Sequence, residues 1–213
     1  MNQEKIKVEI WSDVACPFCY LGKKRFEKAV QELGFQDKIE VQWKSFQLNP
    51  GMETNPDIRI HQYLSQVKGI PETQALAMNQ QITEAGAAEG IEFRFDKAIV
   101  ANTLQAHYLI QQAALYNKQD EVETALFKAY FTDGKNIENT TVLNEIAAAC
   151  SVPFEGRTES LTAGVTRDNN EAAQFGIRGV PFFVFDRKFA VSGAQDPSVF
   201  ASALTQASKK SGE

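Results

Sequence analysis

Trp11-Ser12-Asp13-Val14-Ala15-Cys16-Pro17-Phe18-Cys19-Tyr20 is the stretch from which the fold can be read. Before it, Ile6, Val8 and Ile10 alternate with Lys7, Glu9 and Trp11, the period of a strand. After it, Phe26, Ala29, Val30 and Leu33 share one helical face, and Gly34 stands where a helix cap belongs. Two cysteines separated by two residues at a strand-to-helix junction read as a dithiol redox site. Free amide groups and the positive end of the helix dipole favour a thiolate on Cys16. Pro17 falls in the first turn, where it loses no hydrogen bond. Cys19 sits one turn on, close enough to close a small disulfide ring. Cys16 is therefore expected to attack and Cys19 to resolve. The same pair is also half of a zinc site, but a structural zinc wants four ligands, and Cys150, His61 and His107 are scattered singly. Two inert buried thiols are the remaining alternative, against which stands the usual accessibility of a helix start after a polar turn.

At 213 residues the chain is long for one minimal domain and short for two large ones. A net charge of -5 with no basic block gives no footprint for nucleic acid or an anionic membrane surface. No apolar run approaches the roughly 20 residues of a membrane-spanning helix. The 15 Phe, against 2 Trp and 5 Tyr, suit a packed core or a peptide-accepting surface. The N-terminal residues lack the apolar stretch of a secretory signal, and three cysteines with one close pair do not make a disulfide framework. Together these lead to the expectation of a cytoplasmic protein whose dithiol cycles.

Outward from the motif, 38–43 alternates again and can extend to Phe46, so strand, helix and strand form a parallel, right-handed βαβ unit. Leu48-Asn49-Pro50-Gly51 breaks the pattern. From about Asp57 to Cys150 the chain reads as helix, with pieces over 61–67, 72–88, 102–116, 122–131 and 139–150, and a brief extended stretch over 91–95. A further helix is expected over 158–175. Val180 to Phe185 then reads as a strand with Pro181 near its start, paired in a hairpin with 189–191, and a last helix covers about 197–207. The class is α/β: residues 1–56 and 155–213 form one domain, interrupted by an all-helical insertion over 57–154 that is expected over the cysteine end of the sheet.

This order, with Cys-x-x-Cys at the first helix and Pro at the third strand, resembles a thioredoxin-like fold with a large helical insertion after the second strand, the DsbA-like arrangement. Ser12 to Gly22, Leu48-Asn49-Pro50, Ala101-Asn102-Thr103 with His107, Gly179-Val180-Pro181-Phe182-Phe183 and Ser192-Gly193-Ala194-Gln195 are together similar to the FrnE-like subfamily of DsbA-family oxidoreductases. The resemblance covers essentially the whole chain. It implies that Val180-Pro181 is a cis bond facing Cys16 and Cys19, and that an extended substrate pairs with the backbone there. By its residues alone, Pro181 reads instead as an ordinary trans proline at a strand start, since cis is the minority isomer. Val180, Pro181, Pro17 and Phe18 are thus the expected substrate-binding residues, with Cys16 and Cys19 catalytic and no metal.

The chain also departs from the family. Thioredoxins carry a buried acid six positions before the first cysteine, where this chain has Ile10; Asp13 is nearer and reads as an exposed turn or capping residue. Pro17-Phe18 replaces the Pro-His of strongly oxidising relatives, so a less oxidising dithiol is expected. His61 and His107 read as structural, Cys150 as a buried small hydrophobe, and Asn102 as a candidate pocket residue.

The expected activity is thiol–disulfide oxidoreductase or isomerase chemistry on protein, peptide or small-thiol disulfides. It needs no cofactor beyond the dithiol, with glutathione as an available co-substrate. An alternative is a glutathione-dependent isomerase or transferase resembling the 2-hydroxychromene-2-carboxylate isomerases and kappa-class transferases, which usually carry Ser where Cys16 stands. A non-enzymatic peptide binder with a Phe-rich groove is the third reading. Substrate, direction and oligomeric state are not encoded in any motif.

Overall fold

Ile6–Ser12 (β1) is the middle of the sheet on which the motif is hung. The computed structural model describes residues 5–210; Met1 to Glu4 and the tail beyond 210 lie outside the described residues, and with them part of the N-terminal reading. β1 pairs in parallel with Ile39–Ser45 (β2), from Ile6 opposite Ile39 to Ser12 opposite Ser45. On its other side it pairs antiparallel with Phe182–Phe185 (β3), which in turn pairs antiparallel with Phe189–Ser192 (β4). The order is β2-β1-β3-β4. The third strand starts at Phe182, later than the Val180 expected, because Pro181 has no N–H to give a ladder; its carbonyl instead accepts from the Gly193 amide at 2.8 Å.

Residues up to Leu48 and from Val165 onward form one compact unit, and Asn49–Gly164 forms another. In the first unit, Pro17–Leu33 (α1) ends at Gly34 in the left-handed conformation, φ 62°, as its position predicts. α1 covers one face of the sheet, where Phe26 meets Phe183 and Phe185, each ring pair within 6.4 Å. Phe200, from the last helix, closes that face against Phe26 and Phe183.

The other face is also covered, which the alternating pattern does not reveal. Glu9 and Trp11 are buried along with Val8 and Ile10, because residues from Val165 of the helix Glu159–Gln174 lie across them. The Trp11 indole donates to the Asp168 carbonyl at 3.0 Å, and Trp11, Ala172, Ile177 and Val184 make a small core. Glu9 tolerates this burial through charge pairing: Arg187 grips it with two bonds of 2.7 and 2.8 Å, and the buried Lys44 ammonium lies 3.5 Å away. Lys44 also meets Asp168 at 3.5 Å and Glu171 at 3.0 Å.

The second unit is helical: Ile60–Lys68 (α2), Glu72–Ala88 (α3), Leu104–Ala114 (α4), Gln119–Phe131 (α5), Thr140–Ala149 (α6) and the start of Glu159–Gln174 (α7). The stretch 91–95 carries no strand; its Phe93 and Phe95 rings stack and pack edge-on against Phe131. The last helix, Pro197–Lys210 (α8), runs three residues past the expected end.

Candidate active site

The motif turns where β1 ends. Ser12 gives its carbonyl to the Phe46 amide at 3.0 Å, and Asp13 begins a turn whose carbonyl accepts from the Cys16 amide at 3.0 Å. Cys16 is the N-cap of α1 with extended backbone, φ -93° and ψ 110°, and Pro17 stands at the first helical position. The reading that put a cysteine at the positive end of the helix therefore holds in geometry.

Asp13 was expected at the surface as a turn residue; the structure buries it at 2 % exposure. Its carboxylate accepts from the Leu48 amide at 2.8 Å and from the Ala15 amide at 3.4 Å. Those amides replace the water a carboxylate otherwise needs, and they tie the cysteine turn to the segment leaving β2. No sequence pattern reveals this, since the partner amide is 35 positions away.

Cys16 was expected to be accessible, yet only 4 % of it is exposed. It lies under the loop before β3: its thiol donates to the Val180 carbonyl at 3.5 Å. The Val180-Pro181 bond is cis, as the family resemblance implied. Residues separated by the length of the second unit in sequence thus meet at one sulfur. Cys19 is fully buried, and burial together with the adjacent Cys16 sulfur pushes its thiol well above the usual range. The Asp13 backbone and the Ser12 side chain act in the opposite direction through their hydrogen bonds to it. Both cysteines are free thiols. Pro17 is half-buried and Phe18 presents a 49 % exposed ring, so the four expected substrate-contact residues lie in the same unit as the dithiol.

Gly22 closes the motif stretch in the sequence, where no role attaches to it. A Cβ built there would stand 2.9 Å from the Pro181 ring, 3.4 Å from Phe183 and 3.5 Å from the Ala194 backbone. The signal was present: a glycine inside a helix costs about 1 kcal/mol relative to alanine and calls for a packing reason. Here the reason is the close approach of α1 to Pro181.

The other residues singled out belong to the helical unit. Asn102 does not offer its side chain to a pocket: its carbonyl accepts from the Leu104 amide at 2.9 Å and its amide donates to the Met52 carbonyl at 2.7 Å. It pins the loop before α4. His107 is buried within α4, and His61 is half-buried 3.7 Å from Glu72. Cys150 is half-buried at the C-cap of α6, not the fully buried hydrophobe expected. Among the described residues no group of three His, Cys, Asp or Glu is placed to hold a metal, and no helix is long and apolar enough to cross a membrane.

A probable DsbA oxidoreductase from Streptomyces coelicolor is 35 % identical and superposes with a TM-score of 0.83 over 95 % of this chain and 89 % of its own. An uncharacterised Bacillus subtilis protein, YwbO, is 24 % identical over 96 % of this chain and 98 % of its own. The cytosolic disulfide reductase DsbM from Pseudomonas aeruginosa, solved with GSH, shares the fold at a TM-score of 0.63 and 18 % identity, over 94 % of this chain and 98 % of its own. Residues 7–205 match the DSBA-like thioredoxin domain, the family to which this chain belongs.

Proposed function

We propose that the chain is a thiol–disulfide oxidoreductase or isomerase in which Cys16 attacks and Cys19 resolves. The observation that carries this is the position of Cys16: at the N-cap of α1, its sulfur 3.5 Å from the Val180 carbonyl, with Cys19 buried one turn behind it. A Cys16 thiolate at the positive helix end attacks one sulfur of a substrate disulfide, and the other sulfur leaves as a thiolate and takes up a proton. Cys19 then gives up its proton and attacks the Cys16 sulfur of the mixed disulfide, releasing the second substrate thiol. Two electrons pass from the dithiol to the substrate, and the protein is left with a Cys16–Cys19 disulfide. An external thiol such as glutathione returns it to the dithiol; no metal or organic cofactor takes part.

The high-lying Cys19 thiol fits a resolving role. It stays protonated while Cys16 is the nucleophile, so the two sulfurs do not compete for the substrate. Protein or peptide disulfides suit the exposed Phe18 ring and the backbone beside Pro181. In a reducing cytoplasm, where we place the protein, the net direction is reduction or isomerisation.

The test is a titration of the Cys150→Ser protein in glutathione redox buffers, with the same protein carrying Cys19→Ser beside it. A reversible two-electron transition between about −270 and −120 mV is expected, lost in Cys19→Ser. A pair that never closes refutes the proposal. Glutathione-conjugate turnover that survives in Cys19→Ser favours the isomerase or transferase alternative.

A further inference from the structure

The loop that carries Val180 and Pro181 borders a cavity of about 420 Å³, lined by residues 176–182 together with Ser192 and Gly193. That size suits a small ligand group. Its wall holds one charged side chain, Arg178, in a chain whose net charge is -5. Nearly every other cation in this unit's core is already engaged. Lys44 and Arg187 are bound to carboxylates, and Arg25 donates to the Ala194 carbonyl at 2.8 Å. Arg178 is exposed, and among the described residues no carboxylate or carbonyl accepts from it. The backbone amides of Arg178, Gly179 and Val180 likewise have no acceptor among the described residues. A guanidinium beside a run of solvent-facing amides that no protein group engages is a donor arrangement that a carboxylate can accept from.

The position in the chain fixes what that carboxylate belongs to. Arg178 is two residues before Val180, whose carbonyl is 3.5 Å from the Cys16 sulfur. At 3.8 Å between successive Cα atoms, its guanidinium is within on the order of 10 Å of the reacting sulfurs, and a carboxylate a few bonds from the disulfide stands between the two. We propose that Arg178 and the adjoining amides form a subsite for a carboxylate carried by the disulfide substrate within a few bonds of its S–S bond. This deepens the oxidoreductase reading and rests on it. The subsite holds the substrate by its charge while Cys16 takes one sulfur, and it selects carboxylate-bearing disulfides over neutral ones.

Two disulfides of matched length separate charge from redox chemistry: 3,3′-dithiodipropionate, a dianion, and bis(2-hydroxyethyl) disulfide, which is neutral. Reduced Cys150→Ser protein is mixed with each, and the second-order rate of dithiol loss is measured. One dithiol and one disulfide give one protein disulfide and two thiols, so no added reductant is needed. The wild-type site is expected to favour the dianion. Arg178→Gln is expected to lower that rate about fivefold to tenfold with the neutral disulfide unchanged, and Arg178→Lys to restore part of it. The preference shrinks as salt is raised. A peptide disulfide with Glu beside its cysteine, run against the Gln version, reads whether a peptide is the source of the carboxylate; selectivity with either substrate pair supports the subsite. Equal rates on both pairs, or a preference that Arg178→Gln leaves intact, overturn it while leaving the oxidoreductase reading standing. No reaction with any of these disulfides refutes that reading and the subsite with it.

Discussion

Replacing Gly22 by Ala sets two opposed effects against each other, and the structure says which wins. Alanine is the better helix former by about 1 kcal/mol, so on α1 alone the change stabilises. The added Cβ, however, would stand 2.9 Å from the Pro181 Cγ, closer than real Cβ atoms come, and 3.4 and 3.5 Å from Phe183 and the Ala194 backbone. None of the three is the free end of a flexible chain: one is a proline ring, one a fully buried phenylalanine, one backbone. Overpacking of this kind costs about 1–3 kcal/mol. The net is a loss of about 1 kcal/mol, a fall of roughly 2–4 °C in Tm for a chain of this size. Urea unfolding of the reduced protein measures the loss. Because relief comes from moving Pro181 away from α1, the rate of dithiol attack on a model disulfide should fall as well, by about tenfold, in protein that is still folded. A Gly22→Ala protein that gains about 1 kcal/mol and keeps its rate would refute the close-approach argument and leave Gly22 as an ordinary suboptimal helix residue.

Two further outcomes follow from the buried charges and from the resolving thiol. Lys44→Met removes an ammonium that lies within 4 Å of Glu9, Asp168 and Glu171, all three of them carboxylates gathered around it. Removing one partner of a buried ion pair costs about 3–5 kcal/mol, so the urea midpoint should drop sharply; a loss under about 1 kcal/mol would mean that this cluster is solvated like a surface pair. Burial and the Cys16 sulfur raise Cys19 in the folded state above its unfolded value of about 8.5, so the folded chain holds that proton when the unfolded chain has released it. Stability of the reduced protein is therefore full below about pH 8.5 and declines as pH rises toward the folded value, and Cys19→Ala should flatten that decline in a pH series of urea midpoints. An unchanged slope in Cys19→Ala would show that another group titrates there.

The strand-helix-strand order, the Gly34 cap, the hairpin of β3 and β4 and the place of the dithiol at the start of α1 were all legible in the sequence. Each is set by periodicity, a cap or a turn among residues close together in the chain. The sequence also marked Pro181 by its family context, and an in-helix glycine at Gly22 whose purpose it did not show. The tertiary structure alone decided that Asp13 is buried, because its partner is the Leu48 amide, and that Glu9 and Trp11 are covered, because residues of α7 return to the sheet after the whole helical unit. It set Cys16 against the Val180 carbonyl, 164 positions away, a meeting implied by the family resemblance and by no local pattern, and it alone left Arg178 in that loop without a partner among the described residues. Local dihedral preferences and hydrophobic period are properties of neighbours in the chain. The environment of a charge or a thiol is a property of neighbours in space, and those are chosen only when the chain folds back on itself.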